Sequence, residues 1–245
     1  MLIPYNIVGD EMKKIQIFSI SLGILIAFLL GFGANVLFFN DDSIEVYANN
    51  NMETIVIDAG HGGYDVGCIA LEGMQEKDIT LDIALSTGEL LEEAGYNVVY
   101  TRTSDNVSWP EDNKEDLQSR IDIAEDADAN YYISIHINSS DYNDGASGYE
   151  TYVDFNDDEM VEMAESIHAQ LELLNYAQDR GLVDTNETPL YVVSNNSIPA
   201  LLLEVGFITD TNDFNYMVNN DDDLAHTIAN GIMNSIEAEE ISEEV

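Results

Sequence analysis

The chain has 245 residues, which allows one good-sized domain with an appendage, and its 45% hydrophobic content is ordinary for a globular protein. Its 48 acidic and 7 basic residues give a net charge of -41, which excludes nucleic acid as an expected partner because phosphate contacts need Lys and Arg. The same charge predicts a strongly solvated surface and favours adaptation to very salty (halophilic) or alkaline surroundings, where salt screens the repulsion between the acids.

The first element in chain order is an apolar stretch without charge, residues 15–39. A helix of this length would reach about 37 Å, enough for the ~30 Å hydrocarbon core of a bilayer. Two lysines precede the stretch and acidic residues follow it, which predicts a cytoplasmic N-terminus, residues 1–14, and an exported remainder. The length favours a transmembrane signal anchor over a cleaved signal peptide, although the residues up to Ala48 are typical of a cleavage site.

These features predict a location in the cell envelope. The main domain is expected outside the cytoplasmic membrane and anchored to it, or secreted if the signal is cleaved. A polar linker, residues 40–52, joins the apolar stretch to the main domain, residues 53–238, and an acidic tail, residues 239–245, is expected to fray.

The main domain alternates β-branched runs with segments of helical apolar periodicity. This alternation predicts an α/β fold with a mostly parallel or mixed twisted sheet and helices on both faces, in three layers. The first run, residues 54–58, ends in the turn Ala59-Gly-His-Gly-Gly63, which holds His61 at the tip of a strand. Ligands of open α/β sheets bind beyond the carboxyl ends of the strands, so His61 lies where chemistry is usually done.

Three more candidate site residues follow along the chain. Glu76 begins a predicted helix, His136 ends the strand-like run 131–136, and Glu204 ends the apolar run 200–204. Two imidazoles plus a carboxylate are a known catalytic zinc set that leaves the fourth position for water. A second carboxylate nearby is suited to act as general base on that water.

Each of these residues also has a purely structural interpretation. Glu76 is suited to interact with the N-terminus of its helix, and a histidine in an apolar run such as His136 is often a core residue. Glu204 would be costly if it were buried without a partner, which favours either a function or a buried salt bridge. The candidate partners for such a bridge are Arg102, Arg120 and Arg180.

An ordered set of motifs runs through the main domain and decides between these interpretations. The set consists of Ile57-Asp-Ala-Gly-His-Gly-Gly63 with Asp65 and Gly67, Glu76-Lys-Asp78, Tyr100-Thr-Arg102 with Asp105, Leu117-x-x-Arg120, Ser134-Ile-His136-x-Asn138, Gly148-Tyr-Glu150-x-Tyr152, Arg180-Gly181 and Pro199-Ala-Leu-Leu-Leu-Glu-Val-Gly-Phe-Ile208. It resembles the zinc-dependent N-acetylmuramoyl-L-alanine amidases of the amidase-3 type, a family of peptidoglycan hydrolases. The match extends from about Thr54 to the C-terminal helix.

The resemblance implies that His61, Glu76 and His136 bind one zinc ion and that Glu204 is the catalytic carboxylate. It implies that the substrate is peptidoglycan, cut between N-acetylmuramic acid and L-alanine of the stem peptide. Two alternatives remain at this point: a zinc peptidase or deacylase of related fold, and a catalytically idle wall-binding domain. A protein activator is an open question.

Three further expectations concern single elements. Residues 190–193 predict a short strand, His168 is expected at the surface of an amphipathic helix, and Arg102 is expected to pair with an acidic side chain. The connection that follows His136 is short, which suggests a site without a built-in plug.

Overall fold

A computed structural model of the chain describes residues 53–141 and 145–243. The elements in chain order are β1 (Thr54–Ala59), α1 (Glu76–Ala94), β2 (Asn97–Tyr100), α2 (Asn113–Asp126), β3 (Tyr131–Asn138), β4 (Tyr149–Val153), α3 (Asp158–Leu174), β5 (Asp179–Asp184), α4 (Tyr191–Ser194), β6 (Ala200–Phe207), α5 (Thr211–Asn219) and α6 (Asp221–Glu243).

Six strands form one mixed sheet in the order β2-β1-β3-β6-β4-β5. Neighbouring strands are parallel except for β4 and β6, which pair antiparallel. Because four of the strands run in the same direction side by side, their carboxyl ends meet at one edge of the sheet. The predicted α/β architecture with a mixed sheet is confirmed.

Alternating side chains on the central strands bury two separate hydrophobic clusters. The larger includes Ile55, Ile57 and Ile133 and lies under α1, α3 and α6, whereas the smaller includes Val56 and Tyr132 and lies under α2 and α4. Successive strand residues face opposite sides of a sheet, so a continuous apolar run fills both clusters. The fold therefore has three layers, as the sequence predicts.

Several local predictions come out differently. Residues 190–193 form the start of the short helix α4 rather than a strand, because Leu190 accepts backbone hydrogen bonds from Val193 and Ser194. The edge strand β5, which begins with charged residues, was not predicted from the sequence. The terminal helix extends through Glu243.

The predicted N-terminal segments, residues 1–14, 15–39 and 40–52, lie outside the described residues. Among residues 53–141 and 145–243, none of the helices combines the length and apolar character that crossing a bilayer requires.

Candidate metal centre at the carboxyl edge of the sheet

The turn after β1 places His61 at the carboxyl edge with a left-handed backbone, φ 62°. Such a conformation is uncommon for a residue with a side chain and persists only when its surroundings hold it. Gly60 before it has no space for a side chain, since an added Cβ would lie 2.6 Å from the ring of His136. The turn therefore brings the two histidine rings together, with centroids 4.6 Å apart.

Two buried guanidinium groups hold three successive carbonyl oxygens of this turn. Arg102 donates to the carbonyls of Ala59 and Gly60, and Arg120 donates to those of Ala59 and His61, over 2.8–3.0 Å. The expected pairing of Arg102 with an acid is wrong, because no salt bridge of Arg102 is found within the described part of the chain. Arg102 instead donates to backbone carbonyls, which accept hydrogen bonds from a guanidinium as a carboxylate would.

A network of buried charges supports Arg120. Its guanidinium donates to Asp58 and to Asp116 over 2.8 Å each, and all three side chains are at most 2% exposed. Burial raises the pKa of Asp58, but Arg120 and the hydroxyls of Ser134 and Thr101 more than offset this and hold that pKa well below its usual range. Asp58 is therefore an anion that stays ionised beneath the turn.

Three side chains converge beyond this turn with one ligand atom each. These atoms of His61, Glu76 and His136 all lie within 4.8 Å of one another. Glu76 Oε1 is 2.9 Å from His61 Nε2 and 3.2 Å from His136 Nδ1. Two imidazole nitrogens and one carboxylate oxygen fit a tetrahedral zinc ion with its fourth position open.

Two of these side chains, His61 and Glu76, are oriented by hydrogen bonds from outside the cluster. Asp65 lies 2.8 Å from His61 Nδ1, so a proton on Nδ1 leaves Nε2 free to bind a metal. The backbone N–H groups of Cys68 and Ile137 donate to the two oxygens of Glu76. Such outer contacts are typical of metal centres, and the donor set and its orientation therefore fit the metal.

The charges of the cluster are also suited to a cation. Burial raises the pKa of Glu76, but His136 and His61 more than offset this and hold it well below its usual range. Burial lowers the pKa of His61, whereas Glu76 and Asp65 raise it to about 9. An anionic carboxylate among imidazoles thus attracts positive charge to this point.

Glu204 lies beside the cluster on β6, directly opposite His136 on β3. Its Oε2 is buried and has no hydrogen-bond partner among the described residues. Burial, together with the charges of Glu76 and Glu150, raises the pKa of Glu204 to about 8. The salt-bridge interpretation of Glu204 is therefore wrong, since no arginine pairs with it in the described structure. An orphaned buried carboxylate of this kind marks a functional site.

All four predicted site residues thus meet at one edge, while three neighbours were not recognised as part of the site from the sequence. Asp65, Glu150 and Arg180 stand in the motifs, but only their positions in the folded chain give them roles. His168 was misplaced: it is 6% exposed and lies within 2.9 Å of Thr151 and Asp179, because α3 turns this side of the helix toward β4.

Comparison with known proteins supports the same chemistry. The family model described as N-acetylmuramoyl-L-alanine amidase matches residues 55–234. The germination-specific N-acetylmuramoyl-L-alanine amidase of Bacillus subtilis is 31% identical over 219 residues, which are 82% of this chain and 85% of that protein. The amidase LytC of the same organism is 34% identical over 66% of this chain, but the match spans only 30% of LytC.

Solved amidase structures share the fold. The N-acetylmuramoyl-L-alanine amidase of Clostridium difficile 630 superposes with a TM-score of 0.68 at 29% identity, covering 76% of this chain and 98% of that one. AmiC2 of Nostoc punctiforme gives a TM-score of 0.67 at 30% identity over 76% and 97% of the two chains.

Proposed function

The chain belongs to the N-acetylmuramoyl-L-alanine amidase family of peptidoglycan hydrolases, and we propose that it cuts its amide bond with zinc held by His61, Glu76 and His136. The bond joins the lactyl group of N-acetylmuramic acid to L-alanine of the stem peptide. The observation that carries the proposal is the convergence of three ligand atoms beside a buried carboxylate that has no partner in the described chain.

In this proposal each group of the site has a separate role in hydrolysis. Zinc bound there supplies Lewis-acid chemistry, which makes water a usable nucleophile at neutral pH. A cation held beside Glu204 would lower the pKa of its carboxyl, so that Glu204 accepts a proton from the attacking water and donates it to the nitrogen of the leaving peptide. Asp65 keeps the proton of His61 on Nδ1, and Arg120 holds the His61 carbonyl, so the imidazole keeps its direction during turnover.

A digest of purified peptidoglycan tests this function. The full chain with zinc is expected to release free peptides that begin with L-alanine, and a chelator should abolish the release because the three side chains then lack their Lewis acid. Mass spectrometry of the soluble products identifies the cut. Cleavage inside the peptide would instead identify a peptidase, and loss of acetyl groups a deacylase. Intact peptidoglycan with zinc bound would favour a wall-binding domain.

We further propose that the domain acts in the cell envelope, outside the cytoplasmic membrane and anchored to it by residues 15–39. The uncharged length of that segment and the lysines before it support this location. Fractionation should find the full chain with the membrane, and removal of residues 1–39 should release it. Recovery of the full chain in the soluble fraction alone would contradict the anchor.

Two other properties belong to the same proposal. The excess of acidic residues supports activity at high salt, so the digest should slow when salt is removed, and an unchanged rate would contradict this adaptation.

CwlD of Clostridioides difficile, 28% identical, was solved in complex with the GerS lipoprotein. A protein activator for this chain stays a prediction. It would be tested by adding envelope extract to the peptidoglycan digest, where an activator should raise the rate of peptide release.

A further inference from the structure

A row of four side chains crosses the sheet next to the metal centre. His136 on β3 lies opposite Glu204 on β6, and Glu204 lies opposite Glu150 on β4. The pairing of β4 with β5 shifts register at this level, so Arg180 lies in the irregularity beside Glu150. Residues opposite each other on neighbouring strands project from the same face, so this row extends from the metal centre to the edge strand.

The guanidinium of Arg180 at the end of the row is held in place, but part of its hydrogen-bonding capacity remains unused. Arg180 Nε donates to Glu150 Oε2 over 2.7 Å, and the guanidinium carbon lies 4.9 Å from the ring centre of Phe207. Nη1 makes only a 3.5 Å contact with the carbonyl of Ser147, and Nη2 has no hydrogen-bond partner in the described part of the chain. The two outer nitrogens therefore keep hydrogen-bonding capacity that the positioning contacts do not use.

Glu150 is equally well fixed by its neighbours. Its Oε1 accepts hydrogen bonds from Asn138 over 2.8 Å and from the Tyr152 hydroxyl over 3.2 Å. The carboxylate is thus neutralised and satisfied on one side by Arg180 and on the other by an amide and a phenol. A guanidinium braced in this way on a rigid strand loses little entropy when a second carboxylate binds its outer edge.

The distribution of positive charge makes this position unusual. The described residues include five cations, and Lys77, Arg102 and Arg120 are at most 7% exposed. Lys114 is exposed on α2, whereas the Arg180 side chain is 32% exposed in the row that contains Glu204. In a chain of net charge -41, an anionic substrate is repelled by most of the surface, so one local cation has a large effect on where it binds.

We propose that Arg180 determines specificity by binding a carboxylate of the stem peptide on the amine side of the cut; this inference rests on the proposed function. Strands lie about 4.8 Å apart, so the backbone of Arg180 is roughly 10 Å from that of Glu204. An extended peptide advances ~3.3–3.6 Å per residue, so two residues span roughly 7 Å and a carboxylate at the end of the second residue covers the remaining ~3 Å. The chemical class recognised is a peptide whose second residue carries a free carboxylate.

Three N-acetylmuramoyl dipeptides test this assignment: L-alanyl-D-glutamate with both carboxylates, its α-amide and its γ-amide. The full-length zinc enzyme should prefer the substrates that keep one particular carboxylate, and the two amides reveal which. Arg180→Gln should raise KM for the preferred substrates by about 10–100-fold, leave kcat within a few-fold, and remove the preference. Arg180→Lys should keep part of the preference, because lysine keeps the positive charge but lacks the paired N–H donors of the guanidinium.

Two control variants separate recognition from support of the fold. Lys114→Gln removes the same charge outside the row and should keep the preference. Glu150→Gln weakens the contact that positions Arg180 but keeps the guanidinium, so it should reduce the preference less than Arg180→Gln does. Equal losses of Arg180→Gln on the diacid and both amides, or a loss confined to kcat, would overturn the proposal.

Binding measured without turnover distinguishes this proposal from the amidase function. Calorimetry on zinc-loaded Glu204→Gln protein should give a Kd about 10–100-fold lower for the preferred carboxylate form than for its amide. Hydrolysis by the native enzyme with equal Kd values would overturn the role of Arg180 and leave the amidase function intact. A Kd preference that depends on Arg180, without any hydrolysis, would support recognition and contradict the amidase function.

Discussion

Replacing Glu204 with Gln is expected to lower kcat for amide hydrolysis by about 10²–10⁴-fold. The amide has the shape of the carboxylate but cannot accept a proton from water, so the step assigned to Glu204 is lost. Glu204 is separate from the three converging ligand atoms, so the variant should bind zinc as the native protein does. Hydrolysis rates at saturating substrate and the zinc content of the purified protein measure the two expectations.

Glu93→Gln is the matched control for this experiment. Glu93 is an exposed residue of α1, and neutralising it changes the net charge by the same amount without touching the row. We expect full activity from it. A Glu204→Gln enzyme as active as this control would exclude Glu204 as the proton carrier. Loss of zinc from Glu204→Gln would instead identify Glu204 as a metal ligand.

The second large effect concerns stability. Arg120→Met is expected to lower the free energy of unfolding by about 3–5 kcal/mol, because it leaves Asp58 and Asp116 buried without their shared cation. The variant also removes the hydrogen bond to the His61 carbonyl, so zinc affinity should fall. Denaturant titration of the metal-free protein measures the first expectation, and a competition titration with a chelator measures the second.

The loss should grow with pH. In the native protein the pKa of Asp58 is below its unfolded value of about 4, so this stabilisation is present above pH ~4 and is lost as pH falls. Without Arg120, burial raises that pKa above ~4, so stability falls as pH rises. The two proteins should therefore differ least in acid. A difference independent of pH would contradict the ionic origin.

Two variants control for other causes. Lys114→Met removes an exposed cation and should change stability by no more than about 0.5 kcal/mol. Adding Asp58→Asn to Arg120→Met should recover part of the loss, since the buried anion is then gone. If the double variant were less stable than Arg120→Met alone, the coupling assigned to this pair would be wrong.

The sequence predicted the mixed sheet and the meeting of His61, Glu76, His136 and Glu204, because these features follow from local patterns. Three short apolar runs bounded by polar residues mark the central strands, and parallel strands bring their ends to one edge. Strand-end histidines were therefore expected to converge, although they are 75 residues apart in the chain.

Other features depend on contacts that no local pattern contains. The segment 190–193 is rich in β-branched residues, yet packing of Val192 and Val193 against the second cluster favours one helical turn. The strand β5 carries charges at its start because its edge position leaves them exposed. The role of Arg180 needs the register shift between β4 and β5, which is a property of the folded sheet.

The two guanidinium groups that hold the turn after β1 have a consequence for how the protein acquires its metal. Arg102 holds the Gly60 carbonyl and Arg120 the His61 carbonyl without any help from zinc, and the hydrophobic clusters beneath are likewise built from side chains alone. Zinc fingers, by contrast, are unfolded without their ion. Under the proposed function, this domain can be purified empty and loaded afterwards, so the supply of zinc where it acts would control its activity without altering its abundance.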